Sequence, residues 1–339
     1  VRHCLPLIGF LFFAAAGCGG GSTQSGAIPS KNLTPQTLFV VNSGSITAGS
    51  VTVYAPPYTG APTTIRAGLT PLSIAVDAAA DLFVGTYSDA MVNVYAPPYT
   101  GPPTTISDGV HTVGALVLDP AGNLFVLNRY LTAGEFIHGS VTQYAPPYTG
   151  KATTTITPSG PATMIRDATG NLIVGRNTEI DVFAPPFGGP PMTSTKNGLL
   201  DPLSFALDSG GNLFVANYRN GSDGTVMIYT PPYTGAPTMV RNAVSGPHSL
   251  VLDPTGNLFV ANLGTNTVTE YAPPYSGAPI ASINNGVNAP AALALDRMGN
   301  LFVANAGNDT VTVYTPPYSG TPTTISNGVK TPIALLLTP

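Results

Sequence analysis

Ionisable side chains are scarce in this chain: its 339 residues include 12 Lys and Arg, 16 Asp and Glu, and four His. Where they gather is therefore informative. One group holds Arg129, Tyr130, Glu135 and His138, a second Arg176 and Glu179, a third Tyr218, Arg219 and Asp223. Each follows an apolar run of the L-F-V or L-I-V type, while His111 and His248 stand just ahead of two other apolar runs. Three guanidinium groups in comparable places suit an anionic or polyhydroxylated ligand, because the planar fork donates parallel hydrogen bonds. The candidate ligand-binding set is thus Arg129, Arg176, Arg219, Glu135, Glu179 and Tyr218, within 128–139, 175–181 and 217–224, together with His111 and His248. Solvated loops collect the same residue types, so the pattern alone does not separate a site from a surface. Catalytic motifs are absent: there is no GxSxG elbow, no HExxH and no phosphate-binding loop. No catalytic residue and no metal-ligand set is assigned. The only cysteines are Cys4 and Cys18, which excludes disulfide scaffolds, CxxC zinc sites and CxxCH haem attachment beyond residue 18. No basic cluster accompanies the formal charge of -4, so nucleic acid is not an expected partner.

The elements that must position these residues are set by a repeat. An L-F/I-V run starts at Leu38, Leu82, Leu124, Leu172, Leu213, Leu258 and Leu301, at spacings of 44, 42, 48, 41, 45 and 43 residues. A second marker, Y/F-A/T-P-P-Y/F, starts at Tyr54, Tyr95, Tyr144, Phe183, Tyr229, Tyr271 and Tyr314. A seven-fold unit of this length matches the four-stranded blade of a β-propeller. Within it, strand a is a short apolar run after Pro, as in Leu72–Val76. A D-x-x-G-N turn leads to strand b, LFVAN, whose continuous apolar character suits burial on both faces. Strand c is TVTVY, and A-P-P-Y-T-G turns into strand d, P-T-T-I, where a proline suits an outer edge. No stretch carries a helical period.

The ends of the repeat predict how the ring closes. The first unit begins at strand b (38–42) and the last ends in an orphan strand a (333–337). Their pairing completes an all-β, seven-bladed propeller of four antiparallel strands per blade and leaves no open sheet edge. With strand a starting at the top face, the d–a and b–c connections share that face. All the candidate residues named above then fall there. Residues that recur in every unit read as builders of the unit. Asp77, Asp119, Asp167, Asp208, Asp253 and Asp296 cap the a–b turn; a cation-binding carboxylate ring is the chemical alternative. Asn42, Asn128, Asn217, Asn262 and Asn305 get the same reading. The paired Tyr residues, from Tyr54 and Tyr58 to Tyr314 and Tyr318, are expected to pack between neighbouring blades with their hydroxyls at the wet rim.

Asp253-Pro-Thr-Gly-Asn-Leu-Phe-Val-Ala-Asn262 and Asn305-Ala-Gly-Asn-Asp-Thr-Val-Thr-Val313 resemble NHL and YVTN propeller repeats. The resemblance covers 37 to 339 and specifies fold more than function. It implies either a non-catalytic binding propeller, expected to be a monomer with no cofactor, or an enzyme of the virginiamycin B lyase or gluconolactonase type. Those enzymes use a divalent metal held by carboxylate or Asn side chains, often with a His as acid or base. On that alternative His248 is the base and Glu135 or Glu179 a ligand. The leading reading is a binding module whose partner is an extracellular ligand, a polysaccharide or an envelope protein.

Residues 1–17 have the layout of a secretory signal: Arg2 and His3, then an apolar stretch ending in small residues. Ala15-Ala16-Gly17-Cys18 resembles a bacterial lipobox, with Ala15 where the pattern usually has Leu. The resemblance implies lipidation of Cys18 and a membrane partner. Residues 18–36 read as a Gly/Ser-rich tether and 37–339 as the propeller. The expected location is the cell envelope, lipid-anchored at the outer membrane or cell surface.

Overall fold

A computed structural model describes residues 36–44, 49–66, 70–132, 135–158, 160–218 and 224–338. The expected leader, Cys18 and nearly all of the expected tether lie outside the described residues. So do Arg219 and Asp223.

Twenty-eight strands form seven four-stranded antiparallel sheets. We number them blades 1 to 7 and letter the strands a to d from the axis outward. Blade 1 is built from both chain ends: strand a is Pro332–Leu337, b is Leu38–Asn42, c is Ser50–Tyr54 and d is Thr63–Ile65. Leu38 pairs with Leu337 and Val40 with Leu335, so the ring is closed by hydrogen bonds between the two ends. Gln36, at the end of the expected tether, already belongs to the propeller. Its side-chain oxygen accepts from Arg297 N (2.8 Å), its amide donates to the Thr338 carbonyl, and its own carbonyl accepts from Tyr58 Oη (2.8 Å).

The repeated residues hold this architecture in place. Strand b is buried along its length in blade 6 (Leu258–Asn262), as its unbroken apolar run requires. Strand d is three residues long in every blade, which leaves little edge for another chain to pair with. At the a–b turn, Asp253 Oδ1 accepts from the backbone N–H of Thr255 and Asn257, both at 2.8 Å, and Gly256 takes φ +90°. Asp77, Asp119, Asp167, Asp208 and Asp296 make the equivalent pair of bonds, so these carboxylates are turn caps. The asparagine ending strand b is a buried clamp. Asn305 accepts from Asn288 N (3.0 Å), in the connection entering strand a of its own blade, and donates to Thr312 Oγ1 (3.0 Å) on strand c.

In five blades the first tyrosine of the marker donates to the connection leaving the preceding blade, as Tyr314 Oη does to Asn285 O at 2.6 Å. The second sits edge-on to a strand-b phenylalanine of the preceding blade: Tyr318 on Phe259, Tyr275 on Phe214, Tyr148 on Phe83. Its hydroxyl donates to its own a–b turn, as Tyr318 does to Gly299 O (2.9 Å). These rings therefore pack between blades, as their recurrence implies. Along the axis, serines tie neighbouring strands a together: Ser73 Oγ accepts from Leu116 N, Ser204 from Leu250 N and Ser249 from Leu293 N, at 3.0 to 3.2 Å.

One expectation about the top face needs correction. Residues 128–132 and 135–139 are strand, not loop. In blade 3, strand b (Leu124–Thr132) and strand c (Glu135–Tyr144) continue as a paired ribbon past the point where the other blades turn, with a bulge between Phe136 and His138. Most of 175–181 is likewise strand, because blade 4 joins b (Leu172–Arg176) to c (Glu179–Phe183) through two residues.

Candidate functional site

Register decides where the candidate arginines go. Arg176 ends its strand b, opposite Glu179, in the place that Asn42, Asn128, Asn262 and Asn305 hold elsewhere. Arg129 stands one residue further on, paired with Gly139 and Thr112. Successive strand residues point to opposite faces, so the two guanidiniums leave on opposite sides of their blades. Arg219 would be a further residue along, outside the described residues. The arginines share a height in sequence but Arg129 and Arg176 do not share a pocket.

Arg129 is buried at the top of blade 3 and lies across Gly114: a Cβ there would stand 2.6 Å from Arg129 Cδ. The other strands a carry Leu72, Ala162, Leu203, His248, Ala291 or Ile333 at this point, so Gly114 is the vacancy Arg129 fills. Burial lowers its pKa from the ordinary arginine value, with Tyr87 nearby acting the other way. His111 is exposed and packs its ring on Tyr130 (centroids 4.3 Å apart, planes 51°), beside exposed His138 on the ribbon. Glu135 lies on the same ribbon. His248 belongs to strand a of blade 6 (Pro247–Leu252) and is buried. Its Nδ1 lies 2.8 Å from Ala291 O, which places a proton on that nitrogen, and Tyr218 meets its ring edge-on at 6.4 Å. Desolvation lowers its pKa, partly offset by that hydrogen bond. The structure thus joins Tyr218 to His248 and Arg176 to Glu179, on different blades.

The site that sequence reasoning missed surrounds Arg176. Its Nε lies 2.8 Å from Asp181 Oδ2, off the N–H axis, and its Nη2 donates to Asp181 Oδ1 (3.3 Å). Nη2 also makes a close ion pair with Glu179 Oε2, which Lys196 approaches to 3.8 Å. Ser194 Oγ donates to Asp181 Oδ1 at 2.6 Å. Asp181 is only 3% exposed, in the strand-c position that is Thr52, Thr142, Thr269 or Thr312 elsewhere. A buried carboxylate in that place is tenable because a guanidinium and a hydroxyl serve it.

Beside this cluster runs an open cleft of about 430 Å³ between blades 3 and 4, walled by Pro158, Phe183, Gly188, Gly189 and Pro190 as well as the polar groups. Its origin is a shortened connection. Residues 157–160 join strand d of blade 3 (Thr154–Ile156) to strand a of blade 4 (Pro161–Arg166), four residues where the other blades use five or six. The longer connections bury an apolar residue: Val110, Leu199, Val244, Val287 or Val329. Their glycine also closes over strand c, so that a Cβ on Gly328 would lie 3.3 Å from Thr52 Cγ2. Thr157-Pro158-Ser159-Gly160 has no aliphatic residue preceded by a glycine: Gly160 stands directly before strand a, and Pro158 is the apolar residue it buries. The first aromatic of the marker is Phe183, without the hydroxyl that ties the connection down in five other blades. The available signals were LIVGR set against LFVAN, the short link, and Phe in place of Tyr.

Metal chemistry finds no donor set here. Among the described residues no three of His, Cys, Asp and Glu are grouped to hold an ion, and Glu179 is engaged by Arg176.

No protein-family model and no curated protein matches the chain. Solved structures do. A functionally unknown protein from Desulfotomaculum acetoxidans is similar at TM-score 0.70 and 14% identity, over 89% of this chain and 98% of that one. A candidate 6-phosphogluconolactonase from Bacteroides fragilis gives 0.66 and 15%, over 92% and 100%. Virginiamycin B lyase from Staphylococcus aureus gives 0.57 and 13%, over 78% and 87%. At such identities the likeness establishes the shared β-propeller fold.

Proposed function

We propose that this protein is a non-catalytic binding propeller of the cell envelope, lipid-anchored through Cys18, which engages an extracellular ligand or envelope partner with its top face. The observation that carries the reading is the blade-3 ribbon, which extends strands b and c beyond their counterparts in the other blades. It carries the His111–Tyr130 pair and exposed His138 out from the ring, with Arg129 at its base. Tyr218 and His248 meet on blades 5 and 6, and Glu135 belongs to the ribbon. An extension of this kind adds nothing to the closed core, and convergent rare polar residues are what a binding surface needs.

The test converts blade 3 to the pattern of blade 7. Residues 129–139 are replaced by Ala-Gly-Asn-Asp, as in 306–309, together with Gly114→Ala to fill the space that Arg129 leaves. Wild-type protein should bind isolated bacterial envelope or its purified polysaccharide saturably and without turnover. The exchanged protein should keep its melting temperature within a few degrees and bind at least tenfold more weakly. Equal binding by both proteins would overturn the reading.

The second reading, a metal-assisted lyase or lactonase, is favoured by the structural likeness to virginiamycin B lyase. The buried His248, bonded to a backbone carbonyl, is poorly placed as a base for it. Divalent-ion-dependent turnover of virginiamycin B would establish that reading instead.

A further inference from the structure

We infer that the cleft between blades 3 and 4 is a second, separate site, for one or two residues of a neutral saccharide. Four departures from the repeat meet there and have a single joint effect. The connection at 157–160 is short, Arg176 replaces asparagine, Asp181 replaces threonine and Phe183 replaces tyrosine. Together they remove the apolar plug of the other blades and line the resulting space with donors and acceptors.

The ligand class follows from the charges and the walls. Arg176 and Lys196 face Glu179 and Asp181 in one cluster, so its formal charges cancel. Of the charged groups Arg176 and Asp181 line the cleft itself, so an anion entering it would meet the Asp181 carboxylate and a cation the guanidinium. A purely apolar ligand would desolvate the cluster without replacing its hydrogen bonds to water. A sugar hydroxyl both donates and accepts, so it can bond a carboxylate oxygen and a guanidinium N–H side by side. The exposed lining is mostly polar, with Pro158, Pro190 and Phe183 contributing only a small apolar part, so the cleft suits a ligand rich in hydroxyls rather than one with a broad apolar face. The cleft volume of about 430 Å³ is at the small end of ligand sites, which span roughly 300–1,000 Å³. Its openness to solvent fits weak, low-millimolar binding.

The experiment uses the full chain, ¹⁵N-labelled, titrated with N-acetylglucosamine, maltose, cellobiose and diacetylchitobiose. Glucose 6-phosphate and glucosamine serve as charged controls. At least one neutral sugar should shift the amide signals of Gly188, Gly189 and Ser194, and the charged controls should bind at least tenfold more weakly. A filled variant replaces 157–160 with Ser-Asn-Gly-Val-Lys-Thr, as in 326–331, and adds Arg176→Asn, Asp181→Thr and Phe183→Tyr. It should melt at or above the wild-type temperature and lose the response. Should that variant not fold, Gly189→Leu serves in its place, since a Cβ at 189 meets nothing within 4 Å. No shift with any neutral sugar, tighter binding of a charged control, or an undiminished response in the blocked variant would each overturn the inference. The site is a form of the binding role proposed above, but the ribbon exchange leaves it intact, so the two ideas fail independently.

Discussion

Replacing the strand-b asparagine in two blades gives a quantitative test of ring closure. Asn305 and Asn42 are both fully buried and make the same kinds of contact. Asn305 accepts from Asn288 N (3.0 Å) and donates to Thr312 Oγ1 (3.0 Å) and Thr310 Oγ1 (3.3 Å). Asn42 accepts from Lys330 N (2.8 Å) and donates to Thr52 Oγ1 (3.1 Å) and Gly328 O (3.3 Å). The difference is one of chain topology: Asn288 and Asn305 are 17 residues apart, Asn42 and Lys330 288. Alanine at either place takes the partner from a partly buried backbone N–H, at about 1–3 kcal/mol, and removes side-chain bonds worth about 1 kcal/mol net. Each variant should therefore lose about 3 kcal/mol, or about 6 °C of melting temperature at about 2 °C per kcal/mol for a chain of this size. If the ring were open in solution, Asn42→Ala would lose only its local side-chain bonds to Thr52 (3.1 Å) and Ser50 (3.3 Å), about 1 kcal/mol together. Thermal unfolding followed by circular dichroism reads both variants side by side. Equal shifts support closure; an Asn42→Ala shift under half that of Asn305→Ala refutes it.

Two further outcomes follow. Because burial lowers the His248 pKa in the folded protein, the folded state binds fewer protons than the unfolded one. The neutral ring's full contribution is present above the unfolded value near ~6.5 and is lost as pH falls from there toward the depressed folded value, with a slope of at most about 1.4 kcal/mol per pH unit. His248→Leu, which copies Leu72 and Leu203 at the same place in strand a, should remove that part of the acid sensitivity, as read by the difference in unfolding midpoint between pH 7.5 and 5. On the proposed lipid anchor, Cys18→Ser should move the protein from the membrane to the soluble fraction, since acyl chains at that residue would supply the binding energy; retention in the membrane would refute lipidation there.

What could be read beforehand was whatever recurs. Seven copies of the L-F/I-V run and of the aromatic-proline marker point to the strand content, the blade count and the pairing of 333–337 with 38–42. The recurrent Asp, Asn and Tyr residues were legible as builders for the same reason, and their hydrogen bonds are the ones such turns and blade contacts require. The candidate site was less legible, because three arginines at similar chain positions look convergent until their register is counted. Arg176 aligns with Asn128 rather than Arg129, and one residue in a strand is half a turn of side-chain direction. The ribbon escaped because residues 129–139, rich in Gly and charge, read as loop although they pair as strand. The cleft escaped because it arises from residues that are missing, and a shorter link carries no motif of its own.

The energetics of blade 4 argue that the cleft is not drift. Changing Thr to Asp alone at 181 would bury an unpaired charge at several kcal/mol, whereas Arg176 has Glu179 as a second partner. Asp181 is tolerable only with Arg176 beside it and Ser194 completing the carboxylate. A repair elsewhere in the blade has the same character. Phe187 lacks the hydroxyl that Tyr148, Tyr275 and Tyr318 extend to their own a–b turns, and over the blade-4 turn the Arg166 guanidinium takes that ground, with Nη2 2.8 Å from where a Gly170 Cβ would be. Arg166 stands where the other strands a end in Val76, Leu118, Leu207, Leu252, Leu295 or Leu337. Other blades of this chain close the same space with threonine, tyrosine and a buried valine. Apolar filling of that kind is commonly as stable as a buried ion pair, or more so. Stability alone thus gives no reason to hold a charged cluster beside an open cleft when a plugged version stands in the next blade, and the remaining reason is something the cleft receives.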